Sequence, residues 1–343
     1  MAGLILRDCA DNHIKERVNQ SLTTDQRTTM SPIKNELLPS PKVVTPIHPE
    51  LIKNYLVGYD KTSTNFLFTG FTQGFRIPYE GIRKFRFNRN LPSATKNLDI
   101  LKQKNSKEVT AGRESGPFDE PPFLNIQVSP LGLVPKKNPG EFRVIHHLSY
   151  PENESINSGI PESKCTVKYQ TIEDAVKLMK CYGKGCLLSK TDIQNSFKII
   201  PIHPDDHELL GFSLGDQYYF DRTLPMGLSL SCKLFETFST TVHWIIDHKL
   251  GGSSCVHFLD DFLFVGPANS PLCLQTLEKH LTMSKQIGLP IKADKTVFPT
   301  KTLTFLGLEL DSELMEIRLR LDKLGNFKDQ LNHFKFKKKA TLR

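Results

Sequence analysis

Apolar and polar positions along the chain predict helices and short strands in its C-terminal two-thirds. Apolar residues recur at helical spacing in three segments, one beginning at Thr171 with Asp174 in capping-box spacing, one at 234–246, and one at 274–287 stopped by Gly288. A hairpin is predicted to turn at 214–217. Further short apolar runs predict strands at 123–128, 131–135, 141–147, 186–189, 255–259, 262–265, 290–298, 303–310 and 314–319.

The order of these elements indicates how the strands come together. After 186–189 the chain runs through a hairpin, a helix, a second hairpin, another helix and a strand. Two strand–helix–strand crossings of this kind place helices on one side of a shared sheet. The sequence therefore predicts an α+β fold built on a split βαβ sheet.

The hairpin at 255–265 carries two adjacent acids, Asp260 and Asp261, at its tip. Aspartate is common in turns, so a solvated acidic turn explains the pair when it is considered alone. Two like charges this close also repel each other and raise each other's pKa, which a divalent cation would relieve. Both interpretations are open for the hairpin by itself.

A third acid, Asp192, follows the apolar strand at 186–189. In a split βαβ sheet the end of this strand and the tip of the acidic hairpin can be neighbours. Three carboxylates together favour a hard cation with oxygen ligands, Mg²⁺ before Mn²⁺. Two such ions roughly 4 Å apart can activate a 3′ hydroxyl and stabilise a leaving pyrophosphate. A nuclease can use the same three aspartates, so that alternative is also open.

Length and composition fit a globular protein of two or three domains. The chain has 343 residues, of which 38% are hydrophobic and 24% are charged. No run approaches the roughly 20 apolar residues of a membrane span, and the N-terminal apolar run is too short for a secretory signal. We therefore expect an intracellular protein without a membrane partner, in cytoplasm or nucleus. The seven cysteines show no CxxC pair and no zinc spacing, so we expect them to be reduced and mostly structural.

The net charge of +8 is concentrated in two flanking segments. Between 76 and 107 there are nine Lys or Arg against two acids, and between 323 and 343 there are seven against one. Basic flanks of this kind bind nucleic acid, although a solvated lysine-rich surface explains them equally well.

The first 117 residues divide into two segments. Residues 1–50 lack hydrophobic periodicity and are rich in proline, so we expect a flexible, extended segment. Residues 51–117 interleave aromatic and basic side chains, a mixture that can stack on bases and pair with phosphates. The same phenylalanines can instead form a small core. Within this segment, 92–117 is predicted to be a helix followed by a loop.

A cationic hairpin is predicted at 131–147, with Lys136, Lys137 and Arg143 on it. Lysine supplies a point charge and arginine a bidentate fork, so these side chains can hold a triphosphate near a carboxylate site. Exposed charges on a hairpin also need no special explanation. The neighbouring His146 and His147 alternate along a strand, which places them on opposite faces and argues against a shared metal.

Several segments resemble the sequence motifs of reverse transcriptases. KTDIQNSF is similar to motif A, LPMGLSLS to motif B, FLDD to motif C, GLPIKADKT to motif D and TFLGLELDS to the primer-grip motif E. VPKKNPGEFRVI resembles the fingers segment, and the similarity spans about 125–320 in the expected order and spacing. The segment SPLGLVPKKNPGEFRVIHHLSYP, with GRESGPFDEPPF upstream, is most like the DIRS-type retrotransposons of the tyrosine-recombinase group.

The resemblance implies a right-hand polymerase with a ferredoxin-like palm and a truncated or absent thumb. Fingers would span 118–167 and 200–224, and the palm 168–199 and 225–311. The activity implied is that of an RNA-directed DNA polymerase, which adds deoxynucleotides to a DNA primer on an RNA template. The alternative is a catalytically inactive, polymerase-like protein that binds nucleic acid.

The resemblance also implies roles for individual residues. Asp192 and Asp260 would ligate both metal ions, with Asp261 assisting. The expected nucleotide-binding residues are Lys137 and Arg143 at the phosphates, Phe197 as the steric gate against a ribose 2′ hydroxyl, Met226 and Gly227 beneath the templating pair, and Lys295 near the pyrophosphate. The residues expected to steer the primer end are Phe305, Leu306 and Gly307. A simple core role is the alternative for Phe197.

The sequence departs from the family pattern in four places, one of which is His146 and His147, where many relatives have an acidic residue. Motif C begins with Phe258 where retroviral enzymes have a tyrosine. Motif B has Met226 and Leu228 where glutamine and an aromatic residue are frequent. Residues 312–343 would form only a thumb stub with a basic tail, so a partner chain can be expected to supply a thumb or ribonuclease H.

Overall fold

Helices and short strands alternate along the residues that the computed structural model describes, 43–136, 140–251 and 254–335. The helices are α1 Pro49–Tyr55, α2 Lys61–Gln73, α3 Pro92–Thr95, α4 Leu98–Thr110, α5 Ile172–Tyr182, α6 Ser231–Ile245, α7 Leu272–Ile287 and α8 Leu321–Lys335. The strands are β1 Arg86–Phe87, β2 Glu114–Phe118, β3 Gln127–Val128, β4 Leu131–Pro135, β5 Phe142–His146, β6 Leu187–Asp192, β7 Gly211–Leu214, β8 Gln217–Asp221, β9 Ser254–Phe258, β10 Asp261–Gly266, β11 Val297–Thr300, β12 Thr302–Phe305, β13 Leu308–Asp311 and β14 Glu316–Leu319. Lys137 and most of the segment 1–50, on which the sequence makes predictions, lie outside the described residues.

The four-stranded sheet has the order β11-β6-β10-β9, with every neighbouring pair antiparallel. Along the chain its elements come in the order β6, α6, β9, β10, α7 and β11. The crossings β6-α6-β9 and β10-α7-β11 therefore interleave in one sheet, which is the split βαβ arrangement. The predicted α+β fold with this palm topology is confirmed.

Alternation along β10 separates two hydrophobic cores. Phe262 and Phe264 are fully buried in the larger core, together with residues of α6 and α7. Leu263 and Val265 are buried in a second core, which also contains Ala175 of α5. Because successive side chains of a strand point to opposite faces, this one strand packs against both layers. An unbroken apolar run is the expected pattern for a strand that is covered on both sides.

Two helix ends follow from the local sequence. Asp174 accepts a hydrogen bond from the Thr171 backbone N–H at 2.9 Å, which forms the predicted capping box of α5. At its C-terminus, α7 stops at Gly288, whose φ of +75° costs glycine little. Both ends depend only on residues close in the chain, so the sequence predicts them well.

A five-stranded sheet of order β1-β3-β7-β8-β2 joins strands of two predicted regions. Strands β3, β7 and β8 come from the expected fingers, whereas β1 and most of β2 come from the N-terminal extension. Its strands β7 and β8 form the predicted hairpin around 214–217. The cationic hairpin is a separate two-stranded ladder of β4 and β5. A third core, which includes Leu101 of α4, Leu133 of β4 and Phe212 of β7, holds this hairpin in place.

The N-terminal extension contributes to the main core. Within α2, Leu67 and Phe71 are buried, and the Phe71 ring packs edge-on against Phe238 of α6 with ring centroids 5.1 Å apart. This contact supports the core interpretation of the phenylalanines between 51 and 117. Phe85 and Phe87 remain exposed, so the core does not account for every aromatic residue of the segment.

The described residues just before α1 differ from the expected flexible segment. Ile47 is buried, and the His48 N–H donates a hydrogen bond to the Ile287 carbonyl at 2.9 Å. The Thr45 hydroxyl donates to the Ile199 carbonyl at 2.7 Å. The backbone here has no helix or strand, as proline content predicts, yet it is packed along the end of α7. Long-range contacts of this kind leave no periodic trace in the sequence.

Three predicted elements are interrupted in the structure. The run at 123–128 forms a strand only at Gln127–Val128, and the run at 290–298 is interrupted by a 3₁₀ turn at Ala293–Lys295. The run at 303–310 is a hairpin, because Leu306 with φ +48° and Gly307 with φ +80° reverse the chain. Apolar content alone does not show where a turn divides a run. The predicted loop after α4 also contains a strand, β2.

The last described helix exposes a row of apolar side chains. On α8, Leu321, Phe327, Leu331 and Phe334 are all more than half exposed. Neither α8 nor any other helix of the described ranges is long and apolar enough to cross a bilayer.

Candidate active site

Asp192, Asp260 and Asp261 meet at one end of the four-stranded sheet. Asp192 is the last residue of β6 and Asp261 the first of β10, and the two are direct partners in the antiparallel register. Asp260 lies in the turn just before β10, and its carbonyl accepts a hydrogen bond from the Ile193 N–H at 2.9 Å. The structure therefore brings together three acids that the sequence places on two separate elements.

The turn that presents Asp260 is short and strained. It contains only Leu259 and Asp260 between β9 and β10. Leu259 has φ +52°, in the left-handed region that leucine rarely adopts. Its N–H donates to Glu236 Oε2 at 3.2 Å, so a buried carboxylate of α6 helps to hold the turn. Strain that is held by its surroundings is typical of functional sites.

Three lysines surround the carboxylates. Lys292 Nζ lies 2.7 Å from Asp192 Oδ1, and Lys295 Nζ lies 2.8 Å from Asp192 Oδ2. Lys190 Nζ lies 3.6 Å from Asp261 Oδ1. Asp192 is buried, so its charge needs these partners to offset the loss of hydration.

Burial and repulsion by nearby carboxylates raise the pKa of Asp260 and of Asp261. Burial raises the pKa of Asp260, and the nearby Asp192 charge raises it further. Burial also raises the pKa of Asp261, against the opposing effect of Lys190. These directions are those of carboxylates held close together away from bulk water. A divalent cation on the site would favour the ionised forms instead.

The donor set fits a hard divalent cation. Asp192 Oδ1 and Asp261 Oδ1 are buried oxygens that lack a donor in hydrogen-bond geometry among the described residues. The Lys292 contact with Asp192 is close enough for an ion pair but does not meet the angles of a hydrogen bond. Buried carboxylate oxygens with free lone pairs are the ligands that Mg²⁺ and Mn²⁺ prefer. Asp192, Asp260 and Asp261 can hold such ions.

A cavity of about 520 Å³ opens beside Asp260. A volume of this size suits a small-molecule ligand. Its lining includes four residues that are predicted to contact the nucleotide: Arg143, Phe197, Met226 and Lys295. Lys136 and Lys292 add two further cations to the wall. The predicted role of Lys137 concerns a residue outside the described ranges.

Phe197 lies in a 3₁₀ turn, Ser196–Ile199, that follows β6. Asn195, with φ +55°, redirects the chain just before this turn. The Phe197 ring packs edge-on against Phe235 with centroids 5.6 Å apart, and the residue also lines the cavity. Core packing and a gate role are therefore compatible, since the packing fixes where the ring stands.

The loop that resembles motif B is pressed against the end of β5. Gly227 has φ +127°, and a Cβ at this position would lie 1.9 Å from the His146 carbonyl oxygen. The Met226 carbonyl accepts a hydrogen bond from the His146 N–H at 3.0 Å. Asn157 Nδ2 donates to the Gly227 carbonyl at 2.8 Å. Only glycine permits this approach, and the loop leaves Met226 partly exposed at the cavity.

His146 and His147 have different surroundings. His146 is buried, with Nδ1 3.0 Å from Asp221 Oδ2 and Nε2 3.1 Å from the Gly211 carbonyl. His147 is half-buried, and burial lowers its pKa. Both ring nitrogens of His146 are therefore engaged within the fold.

A buried charged network forms another part of the cavity wall. Lys198 Nζ donates to Asp221 Oδ1 at 2.5 Å and lies 3.5 Å from Glu114 Oε1. Asn105 Nδ2 donates to Glu114 Oε2 at 2.7 Å. Burial alone would lower the pKa of Lys198, but Asp221 and Glu114 outweigh it and raise that pKa. Burial raises the pKa of Glu114 to about 7.

Some residues near the site were not identified in the sequence analysis, and they differ in whether a sequence pattern could have indicated them. Lys190 stands two positions before Asp192 in a strand, so alternation alone places both side chains on one face. Lys292 is three positions before Lys295 in the sequence. Its closeness to that predicted phosphate-binding lysine could have indicated that it also lies near the site. No sequence pattern relates Glu114 to Lys198, because their contact arises from packing between distant elements.

The predicted primer-grip residues lie around the turn between β12 and β13. The Phe305 side chain is fully buried in the second core. Leu306 and Gly307 form the turn itself, and Lys323 Nζ donates to the Gly307 carbonyl at 3.1 Å. Any contact with a primer end therefore falls to Leu306 and the backbone of the turn, while the Phe305 ring supports them from below.

Comparison of the sequence with known families and proteins gives one consistent result. The family model described as reverse transcriptase (RNA-dependent DNA polymerase) matches residues 134–310. Protein P of heron hepatitis B virus is 32% identical over 128 residues, which is 37% of this chain and 16% of that protein. The Gag-Pro-Pol polyprotein of Mason-Pfizer monkey virus is 23% identical over 253 residues, which is 69% of this chain and 13% of the polyprotein. The chain thus spans only about a sixth or less of these relatives.

Solved structures with a similar fold include foamy viral protease-reverse transcriptases. One in complex with double-stranded DNA has a TM-score of 0.58 at 16% identity, covering 92% of this chain and 52% of that one. Another, with an RNA/DNA hybrid, has a TM-score of 0.55 at 16% identity, covering 86% of this chain and 38% of that one. At this identity the similarity concerns the fold, which is that of a right-hand polymerase. Since the family model covers more than half of the sequence, the chain belongs to the reverse transcriptase family.

Proposed function

We propose that this chain is an RNA-directed DNA polymerase domain that adds deoxynucleotides to a primer 3′ end. The observation that carries the proposal is the pairing of Asp192 with Asp261 in the β6–β10 register, with Asp260 in the adjoining turn. The three carboxylates lie beside a cavity whose wall carries several cations. Phosphoryl transfer depends on this combination of metal-binding oxygens and phosphate-binding cations. Membership of the family supports the same reaction.

The residues divide the work by their chemistry. Asp192, Asp260 and Asp261 would hold two divalent ions, Mg²⁺ or Mn²⁺. Such ions, when bound, activate the 3′ hydroxyl and stabilise the leaving pyrophosphate. Arg143 would orient the triphosphate through its planar fork of N–H donors, and Lys295 would supply a point charge.

Selection of the sugar and of the template base would rest on other residues at or near the cavity. Phe197, anchored on Phe235, would stand as a fixed surface against a ribose 2′ hydroxyl. Met226 and Gly227 would support the templating pair from the loop that His146 holds. Leu306 would contact the primer end.

The proposed substrates and partners are an RNA template, a DNA primer and deoxynucleoside triphosphates. Nucleic acid as a partner is supported by the solved complexes of similar fold, which contain double-stranded DNA and an RNA/DNA hybrid. The segments quoted above support a DIRS-type retrotransposon as the kind of element. The proposal also includes the division of the chain, with fingers at 118–167 and 200–224 and a palm at 168–199 and 225–311. It further includes an intracellular location and a partner chain that supplies a thumb or ribonuclease H.

Primer extension tests the activity. The full chain is incubated with Mg²⁺, labelled dTTP and an oligo(dT) primer on poly(rA), and wild type is compared with Asp260→Asn. We expect wild type to incorporate dTTP. The variant should lose at least about a hundredfold in rate, because it lacks one of the carboxylate charges that would hold the metal ions against the charge that develops in the transition state. Asp216→Asn, at the exposed turn between β7 and β8, is the matched control and should behave as wild type. Equal incorporation by wild type and Asp260→Asn would sink the assignment.

A second candidate function is binding of nucleic acid without turnover. The observation that favours it is that Lys292 and Lys295 already balance the charge of Asp192. This candidate predicts binding to an RNA/DNA hybrid that weakens with salt, because phosphate contacts release counterions. It also predicts no extension by wild type or by Asp260→Asn. The same primer extension experiment therefore separates the two candidates.

A further inference from the structure

A histidine, an aspartate and a cysteine meet at one end of β9. The other end of β9 leads into the turn of Leu259 and Asp260, which is called the catalytic turn below. His243 lies in the last part of α6, and Asp247 lies in the π-helical turn Ile246–Leu250 that follows it. Cys255 is the second residue of β9. One donor atom from each side chain lies within 4.8 Å of the donor atoms of the other two. This cluster has no part in the proposed polymerase reaction.

The donor atoms lie close to the spacing of ligands around one metal ion. His243 Nε2 lies 3.0 Å from Asp247 Oδ2, and Cys255 Sγ lies 3.9 Å from Asp247 Oδ1. Ligands of a tetrahedral ion with bonds of about 2.0–2.3 Å are separated by roughly 3.3–3.8 Å. Small rotations of the His243 and Cys255 side chains would bring the set to that spacing.

We propose that His243, Asp247 and Cys255 form a binding site for a borderline-soft divalent cation, Zn²⁺ before others. A nitrogen, an oxygen and a sulfur ligand suit Zn²⁺, whereas Mg²⁺ and Ca²⁺ take oxygen ligands. The site therefore differs in chemistry from the all-carboxylate site at the catalytic turn. Three protein ligands leave a fourth position for water, and the Asp247 side chain, 37% exposed, gives solvent access to it.

The His243 ring is held as metal-binding histidines are held. His243 Nδ1 lies 2.7 Å from His257 Nδ1, and His257 Nε2 lies 3.1 Å from Glu236 Oε1. A histidine ligand commonly uses its second nitrogen in this way, which fixes both the ring and the tautomer. When His243 donates from Nδ1, its Nε2 lone pair faces the Asp247 carboxylate. Two acceptors in that position repel each other unless a proton or a metal ion lies between them, and the nearby Cys255 sulfur supplies a further ligand for the metal ion.

The backbone and the burial fit the same role. The π-helical turn that carries Asp247 is a rare feature that is frequent at functional sites. Cys255 is buried, and burial together with Asp247 raises the pKa of its thiol well above the ordinary value. On binding, the ion would take the thiolate and the displaced proton would pass to solvent. The ion would tie the end of α6 to the strand that leads to the catalytic turn.

Cobalt titration tests the site directly. The full chain, with Mg²⁺ in excess to occupy the carboxylate site, is titrated with Co²⁺ and followed by absorption in the near ultraviolet. We expect a thiolate-to-cobalt charge-transfer band that saturates at one equivalent and disappears when Zn²⁺ is added. Binding through oxygen alone gives no such band, so a signal cannot come from the aspartate cluster.

Variants identify the ligands. Cys255→Ser should abolish the band. Cys273→Ser is the matched control and should keep the band, because Cys273 is buried in the same core but contacts Ser189 at 3.4 Å and is not one of the three proposed ligands. Asp247→Asn, at a partly exposed position, should weaken Zn²⁺ binding in calorimetry by about tenfold or more. Asp260→Asn should keep the band, so the result is independent of polymerase activity. A band that survives Cys255→Ser, or no band in folded wild type at millimolar Co²⁺, overturns the proposal.

Discussion

Lys292 Nζ lies 2.7 Å from Asp192 Oδ1, on the carboxylate that is expected to bind metal. The lysine is placed there by its backbone, since its N–H donates to the Asp192 carbonyl at 2.9 Å. The neighbouring Ile291 forms a β-bridge with Ile193. The ammonium group and a divalent ion therefore compete for one buried carboxylate.

We expect Lys292→Gln to strengthen Mg²⁺ binding about fivefold, because a partly buried ion pair of this kind is worth about 1 kcal/mol. The measurement is calorimetric titration of the nucleotide-free protein with Mg²⁺. Lys301→Gln is the control, since Lys301 pairs with Glu313 at the surface at 3.0 Å, away from the site. Unchanged or weaker Mg²⁺ binding in Lys292→Gln would show that the lysine does not compete with the ion.

Gly227→Ala should destabilise the protein by more than about 3 kcal/mol. The new alanine Cβ would overlap a buried carbonyl oxygen, and the backbone at this position has a positive φ that alanine rarely adopts. The clash is with the His146 carbonyl oxygen at 1.9 Å, and φ is +127°. Gly215→Ala is the matched control, with φ +63° and open space around the new Cβ, and should cost only about 1 kcal/mol. Urea unfolding of both variants checks the difference. Similar losses in the two would contradict the close approach of the loop to β5.

Phe197→Val should reduce the preference for dTTP over UTP at least about tenfold, because a smaller side chain leaves room for a 2′ hydroxyl. The measurement is the ratio of kcat/KM for the two nucleotides in primer extension. Phe87→Val, at a ring that is 46% exposed outside the cavity lining, serves as control. A Phe197→Val variant that loses stability but keeps its nucleotide preference would indicate that the ring only packs against Phe235.

The pH dependence of stability should contain a contribution from Glu114. Burial raises the pKa of this carboxyl from 4.5 to about 7. Between these values the unfolded chain has lost the proton that the folded protein retains, so this contribution to the free energy of unfolding falls as pH rises. We therefore expect the free energy of unfolding of Glu114→Gln to increase relative to that of wild type by ~1–3 kcal/mol between pH 4.5 and pH 8.

Urea unfolding of wild type and Glu114→Gln at several pH values measures this difference. Glu313→Gln, at an exposed carboxylate, should show no comparable trend against wild type. A wild-type-to-Glu114→Gln difference that is constant across the range would mean that the carboxyl keeps its ordinary pKa in the folded protein.

Local patterning was enough to place most elements around the site. The hairpin with Asp260 at its tip, the capping box of Thr171 and the stop of α7 at Gly288 each depend on residues within a few positions of one another. The order of strands and helices then predicted the split βαβ sheet, because few topologies can connect these elements with short crossings. For the same reason the sequence could anticipate that Asp192 and Asp260 converge.

Contacts between distant elements had no such signal. Lys292 on Asp192, Lys198 between Glu114 and Asp221, and Cys255 beside His243 join side chains whose separation is set by how helices pack on the sheet. Neither the 3.6-residue nor the two-residue period reports which faces of different elements meet, or how far apart their polar atoms lie. Hydrogen bonds and ion pairs depend on those distances to within an ångström. The chain's local order therefore identified the fold and the carboxylates and placed Lys190 on the face of Asp192. Three-dimensional packing alone decided that Lys198 joins Glu114 to Asp221 and that Cys255 lies near His243.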